Sequence, residues 1–167
     1  MDVMSREALA RAILRWPGAI DEAGCARLRG AMDRGSASPA EIWDGDYRLD
    51  LDVRRTWDSD VDAGAIAIVD ALFDQLTVDV ERFFRFRVTR REGPGFLRYE
   101  RGGFYRCHRD IPDGAMGADH RRVSIVLFLS TAAQRPATGH CVGGALRLHD
   151  GTDAFLDVEP LAGQVVA

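Results

Sequence analysis

Lysine and asparagine are absent, and all 22 basic side chains of this 167-residue chain are arginine. Both missing residues have A-rich codons, so a GC-rich genome accounts for the gap and no function is read into it. Cysteine is scarce: Cys25, Cys107 and Cys141 are too few and too scattered for a disulfide framework and suit a reducing cytoplasm. An excess of positive charge is lacking too. The formal net charge of −4 leaves no basic footprint for nucleic acid, and that class of partner is set aside. No apolar run approaches the length of a membrane span, and Arg6, Glu7 and Arg11 interrupt the N-terminus, which argues against a transmembrane helix and a secretory signal alike. What is present is an ordinary soluble composition, 46% hydrophobic and 29% charged, at a length that most simply makes one domain with a real core.

Local patterns divide that domain into a mainly helical support over residues 1–85 and a β-rich part over 86–167. Ser5 to Ile13 has helical spacing, while Ala12 to Trp16 reads equally as a first strand, and Pro17-Gly18 breaks either. Asp21 is placed to cap an amphipathic helix over Glu22 to Arg34, stopped by Gly35. Ser38-Pro39-Ala40-Glu41 carries the signature of a short helical turn. Asp44-Gly45 marks a turn, after which Tyr47, Leu49, Leu51 and Val53 alternate with polar residues as a half-buried strand or extended arm. Ser59 or Asp60 can then cap a longer helix whose apolar residues Ile66, Val69, Leu72, Phe73, Leu76, Val80 and Phe83 keep the helical period. The aromatics from Phe83 to Phe86 read as core. Beyond them, strands are expected at Phe86–Arg91, Phe96–Tyr99, Phe104–Asp110, Arg122–Leu129, Ala145–His149, Ala154–Val158 and Gln164–Ala167, a spacing that suggests a sandwich or jelly-roll barrel. Pro112 to His120 is expected to be a mobile loop.

The chemistry concentrates in the run from Arg98 to Asp110, which reads as a strand, a Gly102-Gly103 turn and a second strand ending in His-x-Asp. Side chains two apart on a strand share a face, so His108 and Asp110 project together. An imidazole nitrogen and a carboxylate oxygen supply two members of the two-histidine, one-carboxylate triad that holds non-haem Fe(II) with positions left open. Standing alone, such a pair is more often a surface histidine and a turn-initiating aspartate; the flanking residues give it weight. Arg106 shares the face and reads as a partner for Asp110; Arg147 reads as a solvent-facing strand arginine in preference to a carboxylate anchor, and Arg90-Arg91 and Arg121-Arg122 read as solvated strand ends.

Those flanks resemble a known family. Phe96-Leu97-Arg98-Tyr99, Gly102-Gly103-Phe104-Tyr105 and His108-Arg109-Asp110 are similar to the 2-oxoglutarate- and Fe(II)-dependent dioxygenases, in particular the prolyl 4-hydroxylase-like branch. Arg122 to Ser130 resembles the family's next core strand, and Gly143-Gly144-Ala145-Leu146 with Val158-Glu159-Pro160-Leu161-Ala162-Gly163 resembles its later turns. The resemblance implies an α+β fold: a double-stranded β-helix, a jelly-roll or cupin-like barrel, buttressed by N-terminal helices. It implies Fe(II) held by His108 and Asp110, 2-oxoglutarate as co-substrate with O2, and hydroxylation of a C–H of a peptide, amino acid or small molecule as 2-oxoglutarate becomes succinate. Tyr99 resembles the tyrosine whose hydroxyl faces the metal and co-substrate; its other reading is a barrel tyrosine satisfied locally. Ascorbate dependence is an expectation of the family alone.

The third ligand of the family is a later histidine, followed by an Arg or Lys that pairs with the far carboxylate of 2-oxoglutarate. The chain stops at Ala167 inside an apolar strand pattern, before either position, so the last barrel strands are expected to be missing and the open edge to favour pairing with another chain. His149, near the end of an expected strand, is the internal candidate to substitute. His120 reads as solvent-exposed, and His140-Cys141 lacks the spacing of a structural zinc site. The alternative to an enzyme is a non-catalytic or inactive β-helix module that binds a partner.

Overall fold

A computed structural model describes residues 6–43, 46–110, 121–151 and 154–167. Helix α1 (Arg6–Arg11) is followed by a strand at Arg15–Trp16, so the two readings of the first segment hold in succession. Helix α2 spans Glu22–Arg34. Asp21 Oδ1 accepts from the Gly24 N–H at 2.7 Å, and the Gly35 N–H closes the other end on the Ala31 carbonyl.

Helix α3 runs Ala63–Phe84 and is capped by Asp62, whose Oδ1 accepts from the Ala65 N–H at 2.9 Å. Neither residue proposed as its cap serves: Ser59 lies in a strand, Trp57–Ser59, where its buried hydroxyl has no partner among the described residues, and the Asp60 N–H bonds the Ser36 carbonyl. Ala65, Val69, Leu72, Leu76 and Val80 form the buried stripe of α3. Phe83 is 40% exposed and meets Phe84 edge-on, so the expected aromatic core at the helix end is a surface cluster. Its cause is Arg85, whose left-handed φ of 58° turns the chain off the helix axis. Phe86–Arg91 therefore forms no strand. It doubles back along α3, where the Val88 N–H donates to Glu81 Oε1 and Arg91 pairs with Asp70 and Asp74.

The core sits between α2, α3 and one sheet. Leu28, Ala31 and Met32 of α2 pack with Ala65 and Val69 of α3 and with Phe96. Farther along α3, Leu72 and Leu76 receive Val165. Val165 belongs to the central strand of an antiparallel three-stranded sheet in the order Arg15–Trp16, Val165–Val166, Val126–Leu127. A helix thus lies along a sheet face. No helix among the described residues is long and apolar enough to cross a membrane.

The remaining strands are short, and among the described residues they form two- and three-stranded sheets with no closed barrel. Segment 54–59 is the spine of the region that carries the site. Arg54–Arg55 pairs with Phe104–Tyr105, and Trp57–Ser59 pairs on one side with Leu97–Arg98 and on the other with Ala37–Pro39. The strands flanking the Gly-Gly turn therefore bond to this spine and not to each other. Ala37–Pro39 replaces the expected helical turn because ladder bonds outweigh the local capping signature. Pro39, lacking an N–H, is tolerated on that edge strand. The expected arm from Tyr47 to Val53 is a strand only at Tyr47–Arg48; Asp50 then accepts from the Asp52 and Val53 N–H groups and bends the chain, leaving Leu49 and Leu51 exposed. Leu146–His149 and Phe155–Val158 form the expected antiparallel pair, whereas the parallel contact of Thr131–Ala132 with His140–Cys141 had no signal in the sequence. The expected turn at Asp44-Gly45 and the expected loop from Pro112 to His120 lie outside the described residues.

Candidate metal centre

Tight chain geometry brings the candidate residues together. Gly102 takes a φ of +78°, and a side chain at Gly103 would meet the carbonyls of Arg55 and Glu100 at 2.9 Å, so the Gly-Gly step lets Phe104–Tyr105 close on the spine. The ladder continues one residue further, with the Arg106 N–H donating to the Val53 carbonyl at 2.9 Å. Regular strand ends at Tyr105, short of the expected Asp110. The chain then bends, and the His108 ring folds back to stack on Tyr105 with centroids 3.6 Å apart.

His108 and Asp110 meet by this bend and not by strand alternation. His108 Nε2 lies 3.1 Å from Asp110 Oδ1, and His108 Nδ1 lies 2.7 Å from the Arg106 carbonyl oxygen. A carbonyl can only accept, so Nδ1 carries the hydrogen, and the neutral ring presents the lone pair of Nε2. That lone pair faces a carboxylate oxygen. Two acceptors at such a distance need a positive centre between them, either a proton or a metal ion. Donor atoms about 2.1 Å from a divalent ion and at right angles to each other stand about 3 Å apart, close to the separation seen here.

The supports are of the kind that orient metal ligands. Ser124 Oγ donates to Asp110 Oδ2, which fixes the carboxylate with Oδ1 toward the histidine, and Arg121 Nη1 donates to the Asp110 carbonyl at 2.9 Å. The hydrogen bond with His108 holds the Asp110 carboxyl down at about 2, against desolvation and with help from Ser124 and Arg121. The same bond raises His108 above its ordinary 6.5, again against desolvation. Side chains of both remain open to solvent, at 35% and 40%, so a ligand has access.

These shifts set a pH dependence. In the metal-free chain the raised value of His108 contributes stability that is full below pH 6.5 and lost as pH rises through the folded value. The lowered value of Asp110 contributes above 3.8 and is lost as pH falls through about 2. Solvent screening at this exposure keeps the combined effect below about 1 kcal/mol. A metal ion must displace the proton on Nε2, so the melting-temperature increase produced by Co(II) should grow between pH 6 and pH 8.5 while the metal-free melting temperature falls slightly. Thermal melts with and without Co(II) check this, and a Co(II) shift independent of pH would contradict the pair as ligands.

Other candidates stand elsewhere. Tyr99 is half-exposed, and desolvation raises its hydroxyl above the usual phenolic value, opposed by the charge of Arg54. His149 ends its strand in solvent beside Phe155, and His140 bonds the Thr138 carbonyl; among the described residues no group of three His, Cys, Asp or Glu is placed to hold a metal ion. His149 thus does not complete the His108–Asp110 pair. Arg106 does not pair with Asp110: its Nε donates to the Asp52 carbonyl and its guanidinium lies over Phe104. Arg147 forks onto Asp157. Ser124 and Arg121 were not legible beforehand, since their role depends on the strand at Val126–Leu127 being carried past Asp110. Arg54, over the Tyr105 ring at 4.7 Å, was also missed because no local motif surrounds it.

Comparison with curated proteins and with solved structures found no match. A family model does match, over residues 94–167, the segment that holds Tyr99, His108, Asp110 and Ser124. Its family implies a jelly-roll fold and a dioxygenase that uses Fe(II) and 2-oxoglutarate. This segment, just under half of the chain, is what is similar to the 2OG-Fe(II) oxygenase superfamily.

Proposed function

We propose that the protein is an Fe(II)- and 2-oxoglutarate-dependent dioxygenase of the prolyl 4-hydroxylase-like branch, which hydroxylates a C–H of a peptide, an amino acid or a small molecule while 2-oxoglutarate is decarboxylated to succinate. The observation that carries this reading is the approach of His108 Nε2 to Asp110 Oδ1 at 3.1 Å with the remaining ring nitrogen tied to a backbone carbonyl. Iron, when bound, supplies the redox chemistry that couples O2 and 2-oxoglutarate to C–H oxidation. The chain's own part is positional. His108 offers Nε2 in a fixed tautomer, Ser124 keeps Asp110 from turning away, and Tyr105 supports the imidazole from behind. Tyr99, whose hydroxyl desolvation keeps neutral, is the residue proposed from its motif position to orient the co-substrate.

Two ligands fix a metal less firmly than three. Titration of the 167-residue chain with Fe(II) under anaerobic conditions should therefore give weak binding, at micromolar affinity or poorer, and added 2-oxoglutarate should tighten it. A tight one-to-one complex without co-substrate would point to a third protein ligand outside the described residues. No Fe(II) binding at all, with no Fe(II)-dependent succinate formation, would favour the second reading, a non-catalytic module. One observation speaks for that module: no third ligand stands with the pair among the described residues.

A further inference from the structure

The end of helix α3 and the segment that doubles back from it concentrate positive charge. Arg82, Arg85, Arg87 and Arg90 fall within nine positions that hold no Asp or Glu, in a chain whose formal net charge is −4. All four are exposed, and among the described residues none donates a hydrogen bond, pairs with an acid or lies over a ring. Arg54, Arg55 and Arg106 also lack an acid, but each lies over an aromatic ring. A single surface arginine needs no partner, whereas four held together repel one another. The carbonyl end of α3 offsets only about half a charge. Glu81 offsets one more, with its Oε1 already accepting from the Val88 N–H at 2.8 Å.

Apolar surface is interleaved with this charge. Phe83, Phe84 and Phe86 meet in series, with ring centroids 4.8 and 6.3 Å apart. Phe83 is 40% exposed and Val78 is 61% exposed. Val78, Glu81, Arg82, Arg85, Phe86 and Arg87 line an open hollow of about 400 Å³. Arg85 builds that hollow through its left-handed φ of 58°, a conformation that glycine usually supplies at a helix end. The turn brings Phe86 and Arg87 back beside Val78 and Arg82, so residues on both sides of the helix end present one mixed basic and apolar face.

We propose that this face docks the chain onto an anionic lipid bilayer, with Val78 and Phe83 entering the acyl boundary and Arg82, Arg85, Arg87 and Arg90 meeting headgroup phosphates. A cluster of about four to eight basic side chains is what an anionic membrane surface attracts, and apolar side chains among them add the contact that charge alone does not give. Arginine suits that boundary because its stem lies along apolar surface while its head stays with the phosphates. Nucleic acid is served less well: bases stack on ring faces laid open, and these rings are turned on one another, edge-on and tilted. No helix among the described residues can cross a membrane, so the contact is with its surface. The patch precedes the segment 94–167 that matches the family model, and the metal reading of His108 and Asp110 does not enter the argument.

Co-sedimentation of the full chain with vesicles tests this. One set is phosphatidylcholine alone, and the other is about three parts phosphatidylcholine to one part phosphatidylglycerol. Wild type should partition at least about tenfold more strongly onto the anionic set, and added salt should shrink the preference. Arg82→Gln combined with Arg87→Gln should lower that partitioning by about twentyfold, near fivefold for each charge. Both side chains are exposed and unbonded, so the variant should fold. Phe83→Ser should weaken binding while leaving its salt dependence as it is. Arg101→Gln combined with Arg135→Gln removes the same charge elsewhere on the surface and should leave partitioning unchanged. Equal losses in the two arginine pairs would mean that overall charge and not this face is responsible, and would overturn the proposal. Wild type that does not prefer the anionic vesicles overturns it as well. Polyglutamate and single-stranded DNA complete the set: binding to either that the Arg82 and Arg87 changes abolish, without vesicle binding, gives the face to a soluble polyanion and overturns the assignment to lipid.

Discussion

Replacing His108 by Ala, or Asp110 by Ala, should lower divalent-metal affinity by about a hundredfold or more and abolish Fe(II)-dependent succinate formation. Each change removes one donor and also strands its neighbour. Without Asp110, the imidazole keeps its tie to the Arg106 carbonyl but stands as a lone nitrogen ligand. Without His108, the carboxylate keeps Ser124 but loses the partner that fixes Oδ1 and contributes most to its low value of about 2. Ser124→Ala should cost less, roughly ten- to a hundredfold in metal affinity, because it leaves both donors in place and frees only the carboxylate's rotation. Co(II) titrations read all three. Folding should survive the ligand substitutions, since the side chains are 35% and 40% exposed and belong to neither core cluster. Wild-type metal affinity in His108→Ala or Asp110→Ala would refute the assignment.

That site was half legible in the sequence. The types and spacing of His108 and Asp110 mark the pair, yet strand alternation is not what brings the two side chains together. The bend after Tyr105 brings them together through ring stacking on Tyr105 and a bond to the Arg106 carbonyl, both short-range events that hydrophobic periodicity does not encode. Helices α2 and α3 were readable because their apolar stripes bury against one another and an acidic cap stands at each start, although the cap of α3 lies at Asp62 and not at Ser59 or Asp60. Segment 54–59 was opaque. Arg54, Arg55, Trp57 and Asp58 show no alternation that marks a strand, and what orders them is pairing with residues about forty to fifty positions away. The supports at Ser124, Arg121 and Arg54 depend on that long-range pairing, so they were hidden with it.

Gly163→Ala should destabilise the chain by about 2–5 kcal/mol, a large share of the stability of a domain this size. Two costs combine. Gly163 has a φ of +80°, where a Cβ is disfavoured by roughly 1–2 kcal/mol, and that Cβ would stand 2.0 Å from the Ile20 carbonyl oxygen. The obstacle is backbone, which cannot rotate aside as a side chain does. Ile20 packs against both core clusters and directly precedes the Asp21 cap of α2, while the Gly163 N–H is bonded to the Phe128 carbonyl beside the strand Val126–Leu127. Relief of the clash must therefore pull α2 from the sheet or loosen the strand that carries Ser124 toward Asp110. Gly18→Ala isolates the first cost, because Gly18 has a φ of +67° with nothing within 4 Å of an added Cβ. Urea unfolding of the two variants should show Gly18→Ala losing about 1 kcal/mol and Gly163→Ala at least twice as much. Equal losses would mean that the turn after Pro160 does not press on Ile20. A Gly163→Ala variant that stays folded should also bind Co(II) less tightly than Gly18→Ala, since Ser124 would then hold Asp110 less firmly.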